Sequence, residues 1–370
     1  MSEQLEEIKR RLRRFAELEA AEFSPLYAHL AEQAATDDEI AGLLTAADGD
    51  DATPTLLLAA AHRLLQADPI HPLSRYYPSL GGFDGVDGQT WPLFREFLLQ
   101  RTGAARELIA SRVTQTNEVG RAALLYPAVA RAAKEAGGTV ALLEPGCSAG
   151  LLLGLDKFGY RYQCEGGEQL TAGPAKAGVG LHCALETAPG VELPKLPKKV
   201  SIGARIGLDR SPVDLLDEDE LAWLEACVWA DQPERVRQLR TAAMLQAKAP
   251  PELVRGDIVD DLASAADRLP GQLPLVVMTS HVLEYVPRQR RADFVAALHE
   301  LAFGRRLWWV SQGSYEATLE YVLPGRDDLR YQDGSGLCTL GLTRWADGRP
   351  QATALARTAP HGQRIHWLGS

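Results

Sequence analysis

An acid, a glycine, a serine and a second glycine occupy every other position of Glu144-Pro-Gly146-Cys-Ser148-Ala-Gly150. Apolar residues flank the run, Val140 to Leu143 before it and Leu151 to Leu153 after it. A buried parallel strand that breaks into a small-residue loop before a helix has this pattern. Gly146 and Gly150 carry no Cβ, so the backbone can take left-handed angles and let a ligand come within van der Waals contact. A helix expected over Ala149 to Phe158 would point free N–H groups at that ligand. The Glu144 carboxylate suits an ammonium or hydroxyl group, whereas a loop made for pyrophosphate would avoid negative charge there.

Two chemistries compete for the segment. As Gly146-x-Ser148-x-Gly150 it is a nucleophile elbow, with Ser148 attacking an ester or amide and Asp257 and His281 following in hydrolase order. Such an elbow needs several strands ahead of it, one of them bringing an oxyanion-hole N–H, and the chain before Thr139 reads as helices. As Glu144-x-Gly146-x-Ser148-x-Gly150 it is instead a binding loop for a nucleotide-like ligand. Further along, His281 and Glu284 follow an apolar run, where either can take a proton from a hydroxyl or amine as general base. His281 can equally line a cleft, and Glu284 can cap the next helix. Gln115, Asn117, Glu118 and Arg121 lie on or just before the helix that feeds Val140. They form either a helix cap with a solvated face or a contact for a ligand carboxylate, Arg121 through a two-pronged bond. Cys147 is a reactive thiol at a helix start or a small buried spacer. His62 and His71 have no third ligand nearby, so no metal site is expected.

The elements that must position these residues change character at Thr139. Residues 1–137 read as a helical region: Leu5, Ile8, Leu12, Phe15 and Leu18 fall on one helix face. Ser24-Pro25, Thr53-Pro54 and Thr90-Trp91-Pro92 look like caps with proline in the first turn. A further helix over Thr116 to Ala136 stops at Gly137-Gly138. From residue 138 to the end, short apolar strands alternate with helices, as in a parallel sheet covered on both faces. Strands are expected over Val140–Leu143, Ala204–Leu208, Glu252–Arg255, Leu275–Met278 and Leu307–Val310, and helices near Glu218–Ala247, Asp261–Arg268 and Pro287–Phe303. Leu337–Trp345 and Ala352–Arg357, joined by Asp347-Gly348, read as a closing antiparallel hairpin. Gly146 and Asp209 stand much further apart than the about 20 residues of a simple strand-helix-strand step. Residues 160–200 are therefore an insertion, in which Tyr160–Tyr162 and Gly180–Leu185 can pair as a hairpin and the Pro- and Lys-rich Pro189–Lys199 is a linker. Such an insert either caps a substrate or decorates the sheet.

The formal net charge of -10 argues against nucleic acid as the main partner, because phosphate neutralisation needs clustered Lys and Arg. The basic run Lys9 to Arg14 shares its helix with Glu3, Glu6, Glu7 and Glu17 and reads as a solvated face. Five cysteines without a Cys-x-x-Cys pair point to reduced, cytoplasmic thiols. No window approaches the ~20 apolar residues of a membrane span, so no membrane is expected. A small-molecule substrate remains.

Glu144-x-Gly146-x-Ser148-x-Gly150 resembles the first motif of class I S-adenosylmethionine-dependent methyltransferases, with serine in place of the middle glycine. Thr279-Ser280-His281-Val-Leu-Glu284-Tyr285-Val-Pro287, with Phe294, Leu298, Leu301 and Gly304-Arg-Arg-Leu307 after it, resembles their His-Val-Leu-Glu-His-Val-Pro region. Tyr285 replaces the second histidine. The resemblance covers about residues 139–345. It implies an α/β fold in which a helical N-terminal region accompanies a doubly wound, seven-stranded, mostly parallel Rossmann-like sheet with an antiparallel edge hairpin. It implies S-adenosylmethionine as cofactor and S-adenosylhomocysteine as product, with Asn117 and Arg121 near the carboxylate of the methionine part. Glu144, Gly146, Ser148 and Gly150 would hold that amino-acid part, with Ser280 beside the cofactor. Asp209 would take the ribose, and Asp257 with Ile258 the adenine. His281 and Glu284 are then the catalytic candidates. An S-adenosylmethionine-binding protein that does not methylate, and a Ser148 hydrolase, are the other readings. The whole chain is also similar to an uncharacterised bacterial family known only as a domain of unknown function, through His71-Pro-Leu-Ser-Arg-Tyr-Tyr-Pro78, Thr114-Gln-Thr-Asn-Glu-Val-Gly-Arg121, the Glu144–Gly150 loop and Trp229-Ala-Asp-Gln-Pro-Glu234.

Overall fold

The computed structural model describes residues 3–330 and 337–369. The chain forms two compact units, one of residues 1–116 with 215–240 and one of residues 117–214 with 241–370. The sequence reading draws a single cut near residue 137 instead. No helix among the described residues is long and apolar enough to cross a membrane.

The first unit is helical. Ser24 and Thr53 cap Pro25–Ala34 and Pro54–Gln66, their hydroxyls accepting from Tyr27 N and Leu56 N with proline in the first turn. Thr90 is not a cap: it is the first residue of the helix Thr90–Gln100, and its hydroxyl accepts from Asp87 N at 2.9 Å. The expected helix over 218–247 is two helices, Glu218–Ala226 and Pro233–Ala247. Pro233 opens the second, and Asp231 in the break binds Ser24 Oγ at 2.7 Å and Leu26 N at 3.3 Å. His62 is buried between Ala226 O and Ser79 Oγ, at 3.1 and 2.8 Å, and burial lowers its pKa to about 4. His71 accepts from Leu73 N.

The second unit is an α/β unit on one mixed sheet. Its strands are β1 (Val140–Pro145), β2 (Gly159–Cys164), β3 (Gln169–Ala172), β4 (Gly180–Thr187), β5 (Ile202–Asp209), β6 (Glu252–Arg255), β7 (Leu275–Ser280), β8 (Leu307–Gly313), β9 (Cys338–Ala346), β10 (Arg349–Thr358) and β11 (Arg364–Trp367). They lie in the order β3-β2-β4-β11-β10-β9-β8-β7-β1-β5-β6. The sheet has eleven strands, not seven, and most of its pairings are parallel.

The additional strands come from two sources. β11 is a four-residue strand too short to show a period, and it pairs with β10. The hairpin β9–β10, turned by Asp347 (φ 52°) and Gly348 (φ 69°), is therefore inside the sheet and not at its edge. Through β11 the insert joins the same sheet as β4, β2 and β3, so it extends the sheet. Tyr160–Tyr162 and Gly180–Leu185 pair in parallel, not as a hairpin, because β3 folds back antiparallel on β2.

Successive strand residues face opposite sides, and the tandem tryptophans of β8 display this. Trp309 packs edge-on to Phe294 of the helix Arg288–Gly304. Trp308 turns the other way and donates its indole N–H to Glu135 of the helix Ala122–Glu135 at 3.0 Å. Both faces of the central strands are thus covered by helix; β1 and β8 are buried along their length and β7 as far as Thr279. The helix Ala122–Glu135 starts later than its expected Thr116, since Glu118 is extended and its carboxylate caps Gly120 N at 2.9 Å. It also contains Pro127, which has no N–H to give to Ala123 O. Tyr162 of β2 donates its hydroxyl to that carbonyl instead, at 2.8 Å.

Candidate functional site

β5, β1, β7 and β8 run parallel, and the chain changes direction across the sheet at β1: β5 and β6 lie on one side, β7 and β8 on the other. In open α/β sheets ligands bind at the carboxyl ends of the strands at such a switch. The glycine loop, Asp209, Asp257, Ser280, His281 and Gln312 all sit at or just beyond these ends. β9 runs antiparallel to β8, so Cys338 at its start joins them.

The loop is held by its own backbone. Gly146 and Gly150 have φ of 75° and 68°, and Ser148 takes φ 50°, a region that costs a residue with a Cβ. Gly146 N donates to Leu208 O and Gly150 N to Cys147 O, both at 2.7 Å. Ser148 N donates to Asp209 Oδ2 at 2.8 Å, and Ser211 N to the other oxygen at 2.8 Å. The helix expected over Ala149–Phe158 is a 3₁₀ turn, Leu151–Lys157, tied down where Gln246 Nε2 donates to Gly150 O. Three of the loop's N–H groups, those of Gly146, Ser148 and Gly150, are therefore spent on protein acceptors.

Protein atoms account for the glycine at 146. A Cβ there would lie 2.3 Å from Val282 Cγ2, so Val282 packs against the position a side chain would take. A Cβ on Gly207 would meet Cys147 Sγ at 2.4 Å, which identifies Cys147 as a packed spacer between β1 and β5. Burial and the carboxylates of Glu144 and Asp209 push its thiol pKa well up, away from the reactive reading.

Glu144 is 4 % exposed, and its Oε2 has no hydrogen-bond partner among the described residues. Burial first, then the nearby Asp209 charge, raise its pKa well above the ordinary 4.5, and Arg121 opposes them. Arg121, 7 % exposed, donates through Nε to Pro360 O at 3.0 Å and acts electrostatically on Glu144, Glu284 and Cys338 alike. A buried acid with an open oxygen, in the field of a guanidinium, suits a ligand that carries an ammonium and a carboxylate together.

Beyond β7, His281 also takes a left-handed backbone, φ 60°. Its Nδ1 lies 3.0 Å from Glu284 Oε2, and its Nε2 3.0 Å from Gln312 Nε2. Gln312 is fully buried and its Oε1 accepts from Ser280 Oγ at 2.6 Å. That bond fixes the amide, so Gln312 donates to Nε2 and His281 carries its proton on Nδ1, toward Glu284. Glu284 Oε1 accepts from Ser314 N at 2.8 Å. Burial would raise the Glu284 pKa, but the hydrogen bond and charge of His281, with Ser314 N and Arg121, outweigh it and the carboxyl is lowered. The result is a base held by an acid, with Nε2 as its accepting atom.

The other candidates are placed differently. Asp257 binds Arg210 Nε at 3.1 Å and Arg290 Nη1 at 3.5 Å, and turns the chain by accepting from Val259 N at 2.9 Å. Ile258 is 6 % exposed and packs in the core beneath the sheet. Asn117 Nδ2 is buried without a hydrogen-bond partner among the described residues. Of the residues in hydrolase order, Ser148, Asp257 and His281, the imidazole contacts Glu284 and Gln312 and the Asp257 carboxylate contacts two arginines. Sequence reasoning missed Gln312, Val282 and Cys338, whose Sγ lies 3.9 Å from His281 Nε2 with a pKa pushed up to about 12 by burial. Only Gln312 left a signal, a polar pair with Ser311 directly after the apolar run Leu307–Val310.

No curated protein matches the chain. A family profile described as an uncharacterized protein conserved in bacteria (DUF2332) matches residues 9–367 and so takes in both units, the glycine loop and the His281 network. The chain belongs to this bacterial family.

Proposed function

We propose that the protein binds S-adenosylmethionine at the carboxyl ends of β1, β5 and β7 and transfers its methyl group to a small-molecule acceptor. In this reading β6-β5-β1-β7-β8 with the hairpin β9–β10 is the seven-stranded, class I methyltransferase-like part of the sheet, and β11, β4, β2 and β3 are its extension. The observation that carries the reading is the buried Oε2 of Glu144, without a hydrogen-bond partner among the described residues and in the field of Arg121. When bound, S-adenosylmethionine supplies a methyl group on a positively charged sulfur.

The residues divide the work. Glu144 accepts from the ammonium of the amino-acid part and Arg121 holds its carboxylate. The Ser148 loop gives shape. Asp209 spends one lone pair of each oxygen on Ser148 N and Ser211 N and keeps the others for ribose hydroxyls. Asp257 and Ile258 border the adenine, and Ser280 lies beside the cofactor. His281 Nε2 takes the acceptor's proton after Gln312 yields its place there, and Glu284 steadies the imidazolium. Alignment of acceptor and methyl group in a site sheltered from water supplies the rest of the rate.

Methyl-labelled S-adenosylmethionine mixed with the protein and a small-molecule extract tests the proposal. Label should pass to an extract component. With His281→Ala transfer should fall by about 10²-fold or more while S-adenosylhomocysteine still binds. Binding without transfer to any extract would make the chain a binding protein, and labelling of Ser148 by a fluorophosphonate would make it a hydrolase.

A further inference from the structure

A second feature of the α/β unit lies at the opposite end of the sheet. Gly138, just before β1, and Ser201, just before β5, border a cavity of about 1080 Å³ at the amino ends of those strands. One wall is the helix Ala122–Glu135. The other is the chain between Thr187 of β4 and Ile202 of β5, which contains neither helix nor strand. A connection of this length without regular structure is uncommon in a compact domain and is usually either functional or a linker.

The strap is held in place over the cavity. Ala188 N donates to Trp367 O at 2.8 Å, Tyr126 hydroxyl to Pro197 O at 2.8 Å, and Lys198 Nζ to Thr171 O at 2.9 Å. Pro194 and Pro197 restrict its backbone. Space therefore persists beneath it.

The lining combines apolar surface with positive charge. Leu193, Leu196, Trp367 and Leu368 supply the first. Arg131, Lys134, Lys195 and Lys199 supply the second, against Glu135 and Glu192. Glu135 is committed to Arg131 Nε and Trp308 Nε1, each at 3.0 Å. Lys134, Lys195 and Lys199 form no ion pair among the described residues. In a chain of net charge -10, a cavity with a local excess of uncommitted cations is a departure that an anionic ligand explains.

We infer that this cavity binds an amphipathic anion, its apolar body against Leu193, Leu196 and Trp367 and its carboxylate, sulfonate or phosphate facing the three lysines. The volume is that of a small-molecule site. This inference does not depend on what binds at the glycine loop.

Fluorescence titration with 1-anilinonaphthalene-8-sulfonate tests it on the full chain. The dye should bind saturably, dodecanoate below its micelle concentration should displace it, and dodecyltrimethylammonium and S-adenosylhomocysteine should not. Lys134→Glu/Lys195→Glu/Lys199→Glu, with its fold checked by thermal melting, should weaken dye binding by about tenfold or more. Added salt should weaken binding to the unaltered protein as well. Equal affinity in the charge-reversed variant, affinity indifferent to salt, displacement by the cationic surfactant, or no saturable binding would each overturn the inference.

Discussion

The backbone N–H of Ser148 donates to Oδ2 of Asp209 over 2.8 Å, and through this bond the tip of β5 sets the loop of β1. Strand β5 follows the long insert in the chain, yet it is β1's parallel neighbour, register Leu143 to Ile206 and Glu144 to Gly207. The acid expected at the second strand's tip is there, and part of its role is to build the site.

Asp209→Ala should therefore destabilise the α/β unit. Two hydrogen bonds to a partly exposed carboxylate are lost, together about 1–3 kcal/mol. Asp209→Asn keeps one accepting oxygen and should lose less. Urea unfolding followed by circular dichroism measures both, and an Asp209→Ala variant as stable as wild type would remove Asp209 from the loop's support.

Gly146→Ala should cost about 1–3 kcal/mol, from its left-handed φ and from a Cβ driven into Val282. Val282→Ala should relieve only the second part. The double variant is then more stable than the sum of the single losses implies, by a coupling of about 0.5 kcal/mol or more. Strict additivity in thermal melts would mean that Val282 does not cover this glycine.

Glu144 should leave a pH signature. Its pKa in the folded chain exceeds the ordinary 4.5, so its contribution to stability is fully present below that value and is lost as pH rises through the folded pKa. Glu144→Gln cannot ionise and escapes this loss. From the ordinary 4.5 up to the raised pKa of the folded chain, unfolding free energies of variant and wild type should diverge in the variant's favour as pH rises. A pH-independent difference would contradict the buried, protonated acid.

All five cysteines should resist alkylation in the native chain. Burial raises every one of their pKa values, to about 12 for Cys183, Cys227 and Cys338. Iodoacetamide at about pH 8 should modify them only after unfolding, as read by mass spectrometry. Fast native modification of Cys147 would restore its reading as a reactive thiol.

Strands whose apolar runs are buried on both faces were legible. Val140–Leu143, Leu275–Met278 and Leu307–Val310 fall inside β1, β7 and β8, whereas the edge strand β6, which coincides with Glu252–Arg255, has no buried residue and was read from its β-branched and apolar centre alone. Their polar ends were not, so Gln312 was missed. Neighbours distant in the chain were hidden too: β11 shows no period in four residues, and only its pairing with β4 ties the insert to the sheet. At the loop, glycine spacing signalled left-handed backbone correctly, but it could not say that Val282 occupies the space over Gly146 or that Asp209 takes Ser148 N. Those are tertiary facts that one segment's residue types do not carry.

Isothermal calorimetry with S-adenosylhomocysteine tests the central claim most directly. The account predicts one saturable site, release of protons on binding at pH values between the ordinary 4.5 and the raised pKa of the folded chain as Glu144 ionises against the ligand ammonium, and affinity at least about tenfold weaker with loss of that proton release in Glu144→Gln. No heat and no rise in melting temperature with ligand at about 1 mM would contradict it.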